Sequence, residues 1–154
     1  MSSKSIVVDW GILRVAAIEA AAAAYCPYSG LQVGAAAIVD DGRMIIGCNV
    51  ENASYGLGLC AECTLVGQLR LTGGGRLVAL ACRSGAGELL MPCGRCRQVI
   101  YEFGGPDLLV LDGIDFARGG SVELWRHDGR WLAQWGQPLR GDRPWTRLSA
   151  PPRG

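Results

Sequence analysis

A sheet covered by helices, in a single α/β domain, is the fold this sequence predicts, and three observations predict it. The 154 residues are 49% hydrophobic and 19% charged, which suits one globular unit around one core. Apolar runs of strand length and helix length follow one another as helix, strand, strand, helix, strand, helix, strand, the pattern of an α/β layer architecture. The breaks between these runs fall on Gly, Pro and Asp-Gly, the strongest local punctuators of a chain.

Trp10 to Tyr25 is predicted as a helix, because alanine dominates it and Pro27 marks its end. Val33 to Val39 is continuously apolar and predicts a buried strand. Asp41-Gly42 then separates it from the strand-like Arg43 to Cys48, a hairpin signal. Cys60 to Leu71 is predicted as a helix closed by Gly73-Gly74-Gly75, and Leu77 to Cys82 as a strand. Cys93 to Phe103 is a helix opening after Pro92 and ending at Gly104-Gly105, followed by a strand over Leu108 to Leu111. After Asp112 the composition shifts: the remainder holds four of the five Trp and seven of the fourteen Arg. Val122 to Trp125 and Trp131 to Trp135 predict a hairpin over His127-Asp128-Gly129-Arg130. The expected organisation is one domain over residues 1–137 and a loosely structured tail over 138–154.

The formal net charge is +1, which argues against a chain built to grip nucleic acid, since phosphate binding needs clustered Lys and Arg. No long apolar run resembles a signal peptide or a membrane helix, so a cytoplasmic protein without a membrane partner is expected. Seven cysteines, with two pairs at close spacing, then point to metal ligation ahead of disulfides.

The main chemical signal is Cys60-Ala61-Glu62 with Pro92-Cys93-Gly94-Arg95-Cys96. Cys93 and Cys96 are three residues apart, so one helical turn presents both sulfurs to one ion. Cys60 opens another predicted helix, and helix N-termini favour thiolates. Three thiolates suit Zn²⁺ and leave the fourth tetrahedral position for water, the mark of a catalytic site. Glu62 supplies the carboxylate that hydrolysis needs for moving protons. The spacing C-x-E with P-C-x-x-C is the three-cysteine form of the zinc deaminase signature. The rival is a closed structural zinc site with Cys63 as fourth ligand, whereas Cys26, Cys48 and Cys82 read as small core residues.

Several stretches together resemble the small, homotetrameric type of cytidine deaminase, with an actinobacterial flavour. They are Tyr25-Cys26-Pro27-Tyr28-Ser29, Val33-Gly34-Ala35-Ala36, Gly47 to Leu57 with Asn49-Val50-Glu51-Asn52, Cys60-Ala61-Glu62, and Pro92 to Val99. They are co-linear from about residue 10 to residue 111. The resemblance implies a three-layer α/β/α fold around a mixed five-stranded sheet, one zinc per chain at two helix N-termini, and a homotetramer. It implies hydrolytic deamination of cytidine and deoxycytidine to uridine and deoxyuridine in pyrimidine salvage. It further implies that Asn49 and Glu51 bind the ribose hydroxyls, that the Ala61 backbone reads the pyrimidine edge, and that Tyr55 reaches toward a subunit boundary.

Three departures bear on substrate. Cys63 stands where many relatives carry an arginine that eases the thiolate charge, which leaves Arg95 as the candidate for that task, with Arg97 matching the family's own arginine after the last ligand. Leu31 replaces a phenylalanine that packs on the substrate. The family's Leu-Leu-Pro-aromatic ending is absent, with Phe116, Trp125, Trp131, Trp135 and Trp145 as the aromatics that could replace it. These departures keep open a deaminase of a modified cytosine nucleoside, and, from another class, a non-catalytic zinc-stabilised binding module.

Overall fold

In a computed structural model, described over residues 6–110, 122–127 and 130–135, the chain divides into two units, Met1–Asp112 and Gly113–Gly154. The first holds α1 (Trp10–Ala21), β1 (Val33–Val39), β2 (Met44–Cys48), α2 (Ala61–Leu71), β3 (Leu77–Ser84), α3 (Gly94–Gly104) and β4 (Leu109–Val110), with one-turn 3₁₀ helices at Tyr55–Leu57 and Gly105–Asp107. In the second, β5 (Val122–His127) and β6 (Arg130–Trp135) pair antiparallel as a two-stranded sheet. The tail over 138–154 lies outside the described residues.

The main sheet runs β2-β1-β3-β4, with β1 antiparallel to both β2 and β3 and β3 parallel to β4. It is mixed, as expected, but has four strands among the described residues where five were expected. The pairing stops at β4, whose ladder with β3 is two residues long. The β3–α3–β4 passage is the crossover that a parallel pair requires.

Two glycines show how the helices are distributed over the sheet. A Cβ at Gly34 in β1 would strike the backbone of Ala17 and Ala21, so α1 lies directly on that face. A Cβ at Gly47 in β2 would strike the backbone of Ala61 and Leu65, so α2 lies equally close on the other. Gly34 pairs with Cys48 and Gly47 with Ala35; paired residues share a face and neighbours along a strand alternate. The two glycines therefore point to opposite faces, and the sheet is sandwiched between α1 and α2. Leu13 and Ala17 of α1 form a core with Ala36, Ala79 and Ala81. On the opposite side Ala61, Leu65 and Leu69 of α2 are buried.

Several boundaries differ from expectation. α1 ends at Ala21, four residues before Tyr25. Ala23 N and Ala24 N tighten to i−3 carbonyls, and Tyr25 is then drawn into pairing with the opposite loop: its N–H donates to Asn49 O at 3.1 Å and its carbonyl accepts from Glu51 N at 2.7 Å. Tertiary pairing ends the helix before Pro27 can. β3 runs on to Ser84 because β1 supplies partners there, Gly34 for Arg83 and Val33 for Ser84. Arg83, outside the predicted strand, is consequently 6% exposed. α2 and α3 begin one residue later than predicted, which makes Cys60 and Cys93 their N-caps. Among the described residues no helix is long and apolar enough to cross a membrane.

Candidate active site

Each sulfur of the predicted cluster is placed by a helix start. Cys60 and Cys93 are N-caps with extended backbone, and Cys96 is the third residue of α3, one turn on from Cys93. Their Sγ atoms lie within 4.8 Å of one another, and Cys60 Sγ and Cys93 Sγ are 3.8 Å apart. A tetrahedral ion with Zn–S bonds of about 2.3 Å separates its sulfurs by about 3.8 Å, so the donor set and its spacing fit zinc. All seven cysteines are free thiols.

The electrostatics agree. Burial pushes the Cys60 thiol above its ordinary range, opposed first by the Arg95 guanidinium. Burial, then the Glu62 carboxylate, pushes Cys96 far above it. Burial also raises Cys93, but the N–H dipoles of Cys96 and Arg95 and the neighbouring thiols outweigh it and leave Cys93 below its ordinary value. Ionising three such sulfurs together is costly without a cation among them.

Glu62, the second residue of α2, is only 3% exposed, yet it lines a cavity of about 500 Å³. Cys82 Sγ stands 3.8 Å from its Oε1. Cys82, which the sequence presents as a core residue, thus also touches the buried carboxylate. Cys60, Ala61, Cys93, Arg95, Leu31, Asn49, Glu51 and Tyr55 line the same cavity, so nearly every site residue read from the sequence converges on it. Arg97 does not line it; its Nε donates to Pro92 O at 2.9 Å. Cys63 is outside the three-sulfur group.

Arg95 reaches back across the cluster. Its Nη2 donates to Gly58 O at 2.9 Å and lies 3.5 Å from Cys60 Sγ. Asn49 Oδ1 accepts from Val33 N at 2.8 Å and its Nδ2 donates to Leu31 O at 2.9 Å; one Nδ2 proton and one Oδ1 lone pair remain for a ligand. Glu51 accepts from the Ser29 hydroxyl and, through Oε2, from Tyr28 N at 3.0 Å and Ser29 N at 3.2 Å. The Ser29 hydroxyl first, and then the two N–H groups, hold the Glu51 carboxyl below the usual carboxylate range against burial, which raises it. Leu31 is 49% and Tyr55 98% exposed. Sequence reasoning gave no role to Ser29, because a serine in Pro27-Tyr28-Ser29-Gly30 looks like any turn residue. The side chains of Phe116, Trp125, Trp131, Trp135 and Trp145 lie outside the described residues.

The family model described as the cytidine and deoxycytidylate deaminase zinc-binding region matches residues 12–111. A cytidine deaminase of Mycobacterium tuberculosis is 66% identical over 115 residues, 75% of this chain and 86% of that protein. One from Halalkalibacterium halodurans is 43% identical over 106 residues, 69% and 80%. Among solved structures, cytidine deaminase from Mycobacterium tuberculosis superposes with a TM-score of 0.68 at 64% identity, covering 69% of this chain and 86% of that one. That from Burkholderia pseudomallei gives 0.61 at 40% identity, covering 69% and 88%. Fold, site and likeness define a zinc-dependent hydrolytic deaminase, with zinc as the cofactor of the matched region, inside which the three-thiol cluster lies. The chain belongs to the cytidine and deoxycytidylate deaminase family.

Proposed function

We propose that this chain hydrolytically deaminates cytidine and deoxycytidine, giving uridine and deoxyuridine with release of ammonia, in pyrimidine salvage in the cytoplasm. The observation that carries the reading is one cavity with a buried carboxylate beside three convergent thiols and a polar pair, Asn49 and Glu51, on its lining. Zinc held by Cys60, Cys93 and Cys96 supplies, when bound, the Lewis acidity that activates water for attack on the pyrimidine ring. Glu62 moves both protons of the attacking water, one to the pyrimidine ring nitrogen N3 and one to the departing amine, so that water and cytidine become uridine and ammonia. Its burial suits the task, because a carboxylate shielded from solvent exchanges its proton with the substrate alone. The Ala61 N–H sits at the first residue of α2, where a helix leaves it without an intrahelical acceptor, free to read the pyrimidine edge. Asn49 and Glu51 take the sugar hydroxyls. The burial of Glu62 in an open cavity speaks against a binding module that keeps zinc only for structure.

A homotetramer completes the reading. Its support is the family resemblance together with Ile12 and Val15 of α1 and Met44 and Ile46 of β2, all at least 40% exposed around one apolar groove. The almost full exposure of Tyr55 at the cavity supports a contact with a neighbouring subunit there. The organisation into one deaminase domain over 1–137 with a tail over 138–154 belongs to the same reading.

Arg95 offsets the negative charge that zinc and three thiolates carry together, since its guanidinium lies 3.5 Å from Cys60 Sγ. Arg95→Ala is expected to weaken zinc retention or turnover several-fold more than Arg14→Ala, an exposed control on α1. Equal small effects in a zinc-competition assay with the two variants would move the task to Arg97.

A second reading, deamination of a modified cytosine nucleoside, is favoured by Leu31, which lines the cavity but is half exposed and offers no aromatic face. Leu31→Phe is expected to raise kcat/KM for cytidine several-fold, on the order of 1 kcal/mol for an aromatic contact, and to lower it for bulkier cytosine nucleosides. The test of both readings is kcat/KM across cytidine, deoxycytidine, free cytosine and ring- or sugar-substituted cytosine nucleosides. Cytidine and deoxycytidine should lead and free cytosine should be poor; preference for a bulky analogue, unchanged by Leu31→Phe, would overturn the first reading.

A further inference from the structure

We infer that Ser29 is the positioning residue of the sugar subsite: its hydroxyl fixes the Glu51 carboxylate so that one acceptor position stays open for a single sugar hydroxyl. The inference rests on the reading of Glu51 as a sugar ligand and adds to it the residue that sets its selectivity.

Ser29 Oγ accepts from Leu31 N at 3.0 Å and donates to Glu51 Oε1. A hydroxyl has one proton. The Leu31 N–H can only donate, so the chain Leu31 N–H to Ser29 Oγ–H to Glu51 Oε1 runs in one direction and the Ser29 proton is committed to the carboxylate. Glu51 Oε2 meanwhile accepts from the N–H groups of Tyr28 and Ser29. An ionised carboxylate offers about four acceptor positions, and three are taken. The fourth is what remains for substrate.

The same contacts fix the loop. Leu31 is held by its N–H on Ser29 Oγ and by its carbonyl on Asn49 Nδ2 at 2.9 Å. Residues 29 and 51 are far apart in sequence, and their bond ties the turn after α1 to the segment after β2. A second pocket, of about 260 Å³ and lined by Ser29, Glu51, Tyr55 and Gly58, shares its Glu51, Tyr55 and Gly58 wall with the main cavity. Ser29 thus acts at the sugar end, away from the three sulfurs, and through Glu51. It is not a catalytic residue.

The test compares cytidine with 3′-deoxycytidine, using zinc-loaded wild-type protein and the Ser29→Ala, Ser29→Thr and Glu51→Gln variants. Ser29 is exposed, so its replacement does not threaten the core, and equal zinc content checks that each variant is folded. Ser29→Ala should raise KM for cytidine roughly tenfold, the worth of one hydrogen bond to a charged group, with kcat nearly unchanged. Most of that loss should vanish on 3′-deoxycytidine, which lacks only the 3′-hydroxyl. That hydroxyl is the one expected at the open position of Glu51, because deoxycytidine, without a 2′-hydroxyl, is a substrate in the same reading. Ser29→Thr should restore the wild-type KM. A Ser29→Ala loss equal on both substrates, or no loss on cytidine, overturns the inference while Glu51→Gln still separates the two substrates. If Glu51→Gln also treats them alike, the sugar-ligand reading of Glu51 falls and takes the inference with it.

Discussion

Glu62→Gln is expected to lower kcat by at least about 10²–10⁴-fold, the span that a positioned general acid–base group contributes, while zinc content and thermal stability stay near wild type. Glutamine has the shape of glutamate and cannot accept the proton of water. The substitution is unlike a surface change because Glu62 is 3% exposed and no bulk solvent stands in for it. Zinc should stay, because the three-sulfur group forms without Glu62. The neighbouring Cys82 thiol, 3.8 Å from Oε1, can donate to an amide oxygen as it does to a carboxylate, so that contact survives the substitution. Single-turnover rates alongside elemental analysis check this. A variant that keeps near-normal turnover would remove Glu62 from the proton path; one that loses zinc would make it a ligand.

Cys93→Ala is expected to abolish stoichiometric zinc, and Cys63→Ala to retain it. Binding free energies of closed thiolate sites reach about 10–16 kcal/mol at neutral pH, so losing one thiolate of three should cost several orders of magnitude in affinity. Cys60→Ala and Cys96→Ala should behave like Cys93→Ala, because all three sulfurs lie within 4.8 Å of one another. Cys63 follows Glu62 in sequence, but its sulfur is not one of the three that lie within 4.8 Å of one another. Zinc per chain, measured on all four variants after dialysis, separates the cases. If Cys63→Ala loses the metal as fully as Cys93→Ala, the site is a closed four-thiolate one and no position remains for water.

The sequence carried the metal cluster well because the relevant geometry is local. Cys93 and Cys96 share one helical turn, and Pro92 before Cys93 fixes where that helix starts. The β1 bounds, Val33–Val39, were legible for a similar reason: an unbroken apolar run between Gln32 and Asp40 admits little else. What was not legible depends on partners distant in sequence. The early end of α1 follows from Tyr25 pairing with Asn49 and Glu51, and the length of β3 follows from β1 offering Gly34 and Val33 to Arg83 and Ser84. Ser29 lies in one of the stretches that carry the resemblance, but its task was not legible there, since it comes from Glu51, brought to it only by folding. Arg95 lay between these cases. The cysteine spacing placed it beside the cluster, but the distance to Cys60 Sγ, a residue on another helix, needed the structure. The five-stranded sheet was inferred from resemblance and not from strand signals, and four strands pair in it among the described residues.

The central claim is that this chain turns over a cytosine nucleoside by hydrolysis, and product stoichiometry tests it most directly. Purified protein carrying about one zinc per chain is incubated with cytidine, and uridine and ammonia are quantified together over time. The account predicts one ammonia for each uridine formed, at a rate proportional to protein, with the same result for deoxycytidine. Folded, zinc-loaded protein that forms no uridine from cytidine and no deoxyuridine from deoxycytidine would contradict it.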